Sequence, residues 1–116
     1  MKKILNYIDG NFVEPNSKNW IDNYNPSTGE VYSKIPDSDE TDLMAAYKAA
    51  ENAFPMWSKT TKEERSKIML NIAAEIKHQI EELALAESID NGKPVKLAKA
   101  VDIPRAATNM HFFATG

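Results

Sequence analysis

The sequence predicts an α+β fold: short strands and turns over residues 1–36, then three or four helices over residues 37–116. Three observations carry that prediction. Asp9-Gly10 lies between two short β-prone runs, a strong hairpin signal. Thr61-x-x-Glu64 is a capping box set just before apolar residues at helical spacing. Asn91-Gly92-Lys93-Pro94 reads as a helix stop, with a glycine suited to a left-handed cap and a proline soon after it.

The elements follow in order. Ile4 to Ile8 and Asn11 to Val13 are the hairpin strands, and residues 15–19 form a loop. Trp20 to Tyr24 is a strand, with Trp20, Asp22 and Tyr24 on one face and Ile21 and Asn23 on the other. Pro26-Ser27-Thr28-Gly29 is a turn: proline presets its entry and glycine relieves its exit. Val31 to Ile35 returns as a strand that Pro36 ends. The acidic cluster Asp37, Asp39, Glu40 and Asp42 suits the positive end of a helix dipole. Leu43, Ala46, Tyr47, Ala50, Ala53 and Phe54 then recur at helical spacing, and their small members predict a closely packed helix that Pro55 terminates, with Met56-Trp57 packing at the turn. The second helix carries the stripe Ile68, Met69, Ile72, Ala73, Ile76 and Ile80. The run from Lys62 to Asn91 is long for one globular helix, so a break is expected near His78-Gln79. A third helical stretch runs from Pro94 to Ala114, restarted around Asp102 as cap with Pro104 in the first turn.

At 116 residues the chain has room for one small domain and a modest core. Fourteen basic residues against seventeen acidic ones leave a net charge of −3, which argues against nucleic acid as a partner. Without cysteine the chain has no disulfide, thiolate metal site or thiol nucleophile. Asn6, Asp9 and Gly10 interrupt the apolar start too soon for a signal peptide, and no apolar run reaches membrane-spanning length, so a soluble cytoplasmic protein is expected. The four glycines are too far apart for a phosphate-cradling loop, so no cofactor-binding residue is assigned. His78 and His111 are distant from each other and from any nucleophile, and no catalytic residue is assigned. The phrase around Asp90 has two readings. It is a helix cap whose Asp and Asn tie down a loop, or, with Glu87 one turn earlier, a source of oxygens for a cation.

Five phrases together carry a resemblance. They are Tyr7-Ile8-Asp9-Gly10-Asn11-Phe12-Val13, Asn25-Pro26-Ser27-Thr28-Gly29-Glu30-Val31, Ala53-Phe54-Pro55-Met56-Trp57-Ser58, Glu64-Arg65-Ser66-Lys67-Ile68 and Glu87-Ser88-Ile89-Asp90-Asn91-Gly92-Lys93-Pro94. In this order and spacing they resemble the amino-terminal part of the aldehyde dehydrogenase superfamily, over essentially the whole chain. Asp102-Ile103-Pro104-Arg105, with Asn109 and Phe112-Phe113-Ala114, is similar to the branch that oxidises 2-aminomuconate and 2-hydroxymuconate semialdehydes.

The resemblance implies an α/β parent fold in which residues 1–116 are the amino-terminal part of the NAD(P)-binding domain. It implies an oxidoreductase, a homo-oligomer, that converts an aldehyde to an acid with NAD or NADP. In that family a cysteine attacks the aldehyde, hydride passes to the nicotinamide and a glutamate activates water; none of these groups has a counterpart in this segment, so the chain alone is expected to be an inactive scaffold. Some members hold a structural sodium or potassium ion, and the positions matching its ligands are Asn23 and Tyr24, through backbone carbonyls, and Asp90. The alternative function is a standalone, non-catalytic interaction module built on the same fold segment.

Overall fold

In the computed structural model, which describes residues 1–116, Asp9 and Gly10 both take the left-handed backbone, with φ of 53° and 79°. Positive φ at both central residues is the two-residue turn whose twist matches paired strands. It joins β2 (Asn6–Ile8) to β3 (Asn11–Val13), antiparallel, with Tyr7 opposite Phe12. Those rings meet edge to face at 5.1 Å, a favourable arrangement of two ring quadrupoles. Ile4 and Leu5 are outside the hairpin; the chain before them instead forms β1 (Lys2–Lys3), a strand the sequence pattern did not suggest.

β1 pairs in parallel with β5 (Glu30–Pro36), which pairs antiparallel with β4 (Trp20–Asn25), giving the order β1-β5-β4. The Lys3 ammonium sits 4.7 Å from the centre of the Trp20 ring, a cation–π contact. The pairing of β4 with β5 is irregular past Asn23. There the register shifts, with Asn23 opposite Ser33 and Tyr24 opposite Val31, so Tyr32 is the extra residue of a bulge. The turn between these strands forms as its residues demand: Gly29 has φ of 73°, its N–H reaches Asn25 O at 2.8 Å, and Ser27 N–H donates to Asn25 Oδ1 at 2.9 Å.

α1 (Glu40–Trp57) starts at Asp39, which forms a reciprocal capping box with Asp42. Two expectations for this helix are corrected. Pro55 lies inside its last turn rather than ending it, since Ser58 N–H still closes on Phe54 O at 2.7 Å; a proline this near the end forfeits one hydrogen bond and no more of the helix. The apolar stripe is also not buried: Leu43, Ala46, Tyr47, Ala50, Ala53 and Phe54 are all exposed, and Asp42 is the buried residue of the helix. Spacing identifies a face, but burial needs something to cover it. Strands β1 to β5 and α1 belong to one compact unit, Met1–Lys59.

The second unit, Thr60–Gly116, is helical. α2 (Lys62–His78) opens on the Thr61–Glu64 capping box, and Gln79, with φ of −107°, breaks the helix where expected. α3 (Ile80–Asn91) ends at Gly92 in the left-handed conformation, φ 81°. A short helical turn, α4 (Val95–Leu97), runs into a π turn over Ala98–Asp102 and then α5 (Ile103–Thr115). Asp102 does not cap α5: its backbone is helical and its carboxylate makes no cap hydrogen bond. The continuous helix explains why, because a cap needs an extended residue with N–H groups left unmet beyond it. The wider turn, closed by Ile103 N–H on Ala98 O, falls just ahead of Pro104, whose ring would press on the Ala100 carbonyl in a regular α-helix.

α2 packs most extensively against α5. Ala73, Ala84, Ala98 and Ala107 are buried, so helices meet here at small side chains. The second-helix stripe holds in part: Met69, Ala73, Ile76 and Ile80 are covered, but Ile68 and Ile72 are exposed. Ser66 Oγ donates to Ala114 O at 2.6 Å, satisfying one of the last carbonyls of α5. No helix is long and apolar enough to cross a membrane.

Candidate functional site

Asn23 and Tyr24, two of the three residues singled out for a cation, lie on β4 at the bulge. The Asn23 amide donates to Tyr32 Oη at 3.0 Å and to Ser33 Oγ at 3.1 Å. Ser33 is wholly buried, so this cluster fixes the strand where its ladder is disrupted. Tyr24 is 55% exposed. Both residues carry backbone carbonyls, and oxygen is the ligand a hard cation takes.

Asp90 lies in the second unit, on the last turn of α3, at the surface. Its neighbours form a dense set of local bonds. Asn91 Nδ2 donates to Glu87 Oε1 at 2.6 Å, and Lys93 N–H donates to Asn91 Oδ1 at 2.8 Å. Gly92 N–H closes the helix on Ser88 O at 2.9 Å. Glu87, considered from sequence as an oxygen donor beside Asp90, thus accepts from Asn91. No group of three or more His, Cys, Asp or Glu side chains is gathered as a metal site.

Sequence reasoning missed two constellations. Lys93 forms a half-buried ion pair with Asp102, its Nζ 2.9 Å from Oδ1 and 2.8 Å from Oδ2. The Oδ1 contact has hydrogen-bond geometry, while Oδ2 is buried without such a bond and is held by charge alone. The pair ties the residue after the Gly92 cap to the end of the π turn. Their nine-residue separation gave no helical-pair signal. The second is Asp42, which accepts from Asn16 N–H and from Asp39 N–H, both at 2.9 Å, while Asn16 Nδ2 donates to Asp39 Oδ2 at 3.2 Å. The loop before β4 is thereby fastened to the start of α1. The Asn16 amide first, and then the Asp42 N–H, hold the Asp39 carboxyl below its ordinary pKa. A shallow groove of about 580 Å³ lies beside this joint, lined by Asn6, Tyr7, Ile8, Asp39, Leu43 and Ala46.

His78 and His111 are exposed and on different helices.

Comparison with known proteins adds what this geometry lacks. The family model for the aldehyde dehydrogenase family matches residues 12–116. The human 2-aminomuconic semialdehyde dehydrogenase is 46% identical over 110 residues, and that of Danio rerio 50%. Each alignment takes in 95% of this chain and 22% of the relative, so the chain spans about a fifth of the length of these relatives. Among solved structures, PnpE in complex with nicotinamide adenine dinucleotide superposes with a TM-score of 0.94 at 35% identity, over 99% of this chain and 23% of the other.

Proposed function

This chain belongs to the aldehyde dehydrogenase family, and from that we propose that it is the amino-terminal part of an NAD(P)-dependent enzyme oxidising a semialdehyde of the 2-aminomuconate or 2-hydroxymuconate kind to its acid. The observation that carries the substrate class is the 46–50% identity with 2-aminomuconic semialdehyde dehydrogenases over 95% of the chain. The likeness to PnpE bound to nicotinamide adenine dinucleotide supports the cofactor. In this reading residues 1–116 scaffold part of the cofactor domain of a cytoplasmic homo-oligomer. They offer no thiol to attack an aldehyde, so the chain alone is inactive. No specific observation favours the alternative, a standalone interaction module.

The test is NAD- and NADP-dependent oxidation of 2-hydroxymuconate semialdehyde by this chain and by any longer in-frame product that carries it. Turnover by the longer product alone is the expected result. A longer product that turns over other aldehydes and not this one removes the substrate class. Turnover by the 116-residue chain overturns the scaffold role.

The same resemblance underlies a second proposal, that Asn23 and Tyr24 carbonyls and the Asp90 carboxylate serve a structural sodium or potassium ion in the complete enzyme. Donor chemistry supports it: all three supply oxygen. In that enzyme, sodium or potassium should raise the melting temperature over choline at equal ionic strength, and Asp90→Ala should abolish the difference. Equal melting in both salts removes the ion.

A further inference from the structure

Asn91-Gly92 is the one Asn-Gly pair in the chain. In such a pair the glycine nitrogen can close a ring on the asparagine side chain, because the following residue has no side chain to obstruct it. Here the pair lies at the exposed end of α3, yet every group the reaction needs is engaged. The nucleophile, Gly92 N, has its hydrogen on Ser88 O at 2.9 Å. The leaving group, Asn91 Nδ2, is held by Glu87 Oε1 at 2.6 Å, and the carbonyl oxygen Oδ1 accepts from Lys93 N–H at 2.8 Å. Asn91 is the last residue of α3, and its helical backbone keeps the Gly92 N–H in the helix's own hydrogen-bond ladder.

We infer that Asn91 is a latent modification site: a deamidation site held closed by the last turn of α3 and opened when that turn frays. The inference stands apart from the reaction proposed above. Once the turn opens, base removes the Gly92 N–H proton and the nitrogen attacks Asn91 Cγ. The new C–N bond forms as the C–NH2 bond breaks, and the amide leaves as ammonia with a proton from water. Water then adds to either carbonyl of the cyclic imide, giving aspartate or isoaspartate, so water is the only co-reactant.

The product keeps the turn open. Where Nδ2 donated to Glu87, a carboxylate now faces a carboxylate, and like charges four residues apart destabilise a helix. Isoaspartate also adds a methylene to the backbone just before Gly92, whose left-handed φ of 81° forms the cap. One slow, charge-adding event therefore converts a closed helix end into an open one beside the Lys93–Asp102 pair.

The experiment incubates the 116-residue chain and a synthetic peptide of residues 85–97 at mildly alkaline pH. It follows the mass and isoaspartate content of the segment holding Asn91, with amide exchange at Gly92 read on the same chain sample. Gly92 should be protected, and the chain should deamidate about tenfold or more slowly than the peptide, since reaction requires local opening. A Glu87→Ala chain, lacking one clamp, should react faster than the parent chain. Equal rates in chain and peptide overturn the inference, whether Gly92 exchanges freely or is protected, and so does a Glu87→Ala chain no faster than the parent.

Discussion

Glu64 shows how one side chain links sequence, local structure and pH. It occupies the third position of α2, where its carboxylate accepts from Thr61 N–H at 2.7 Å and from the Thr61 hydroxyl at 3.1 Å. The Thr61 backbone N–H first, and its hydroxyl second, hold the Glu64 pKa below its ordinary value. A carboxylate with a depressed folded pKa contributes stability above its unfolded pKa and loses it as pH falls through the folded one. Asp39, depressed by Asn16 and Asp42 N–H, acts in the same direction at the start of α1. Both contributions are complete near neutrality and fade in acid, below the usual carboxylate range of about 4. Gln preserves a capping partner but carries no charge. Glu64→Gln should therefore melt below the parent at neutral pH, and the gap should close as acid protonates Glu64. Thermal melting across the acid range checks this; a gap unchanged into strong acid would show that charge at this position is irrelevant.

At the level of elements, legibility follows how local each signal is. The Asp9-Gly10 turn, the Thr61 capping box, the break at Gln79 and the Gly92 cap are all written in a few neighbouring residues, and the structure forms each one. β1 was not legible because two lysines become a strand only by pairing with Ser33 and Lys34, some thirty residues on. The β5 bulge was hidden for a related reason: it exists only in the pairing of β5 with β4, where Tyr32 is passed over between Val31 and Ser33. Asp102 misled because an acidic residue ahead of Ile103-Pro104 looks like a cap, whereas its ion pair with Lys93 depends on how the chain folds back after Gly92. Of the candidate cation residues, Asp90 stood out by its own phrase, with Glu87 one turn earlier, whereas Asn23 and Tyr24 came only through the resemblance. Two of them would use backbone carbonyls, and no side-chain pattern encodes a carbonyl's direction.

Across the molecule, the apolar surface has no adequate cover within the chain. Apart from Pro15, the buried apolar residues are Ala73, Ala84, Ala98 and Ala107, the smallest that can form a core. Meanwhile Leu43, Tyr47, Phe54, Met56, Phe112 and Phe113 are all more than half exposed. Burying a large apolar side chain contributes about 1.5–3 kcal/mol, against about 1–2 kcal/mol per residue of backbone ordering. A chain that leaves these groups in water forgoes the term that normally offsets ordering. Their number also exceeds the scattered exposure usual for a monomer. Two measurable consequences follow for the isolated chain. It should associate as concentration rises, seen as a growing sedimentation coefficient, and its urea unfolding should be shallow, because little apolar surface remains to be exposed. In a longer product that covers these faces, association through them should vanish and the transition should steepen. A sharp, concentration-independent monomeric transition in the isolated chain would mean that the alanine contacts and capped helices suffice, and would give the standalone-module reading the support it now lacks.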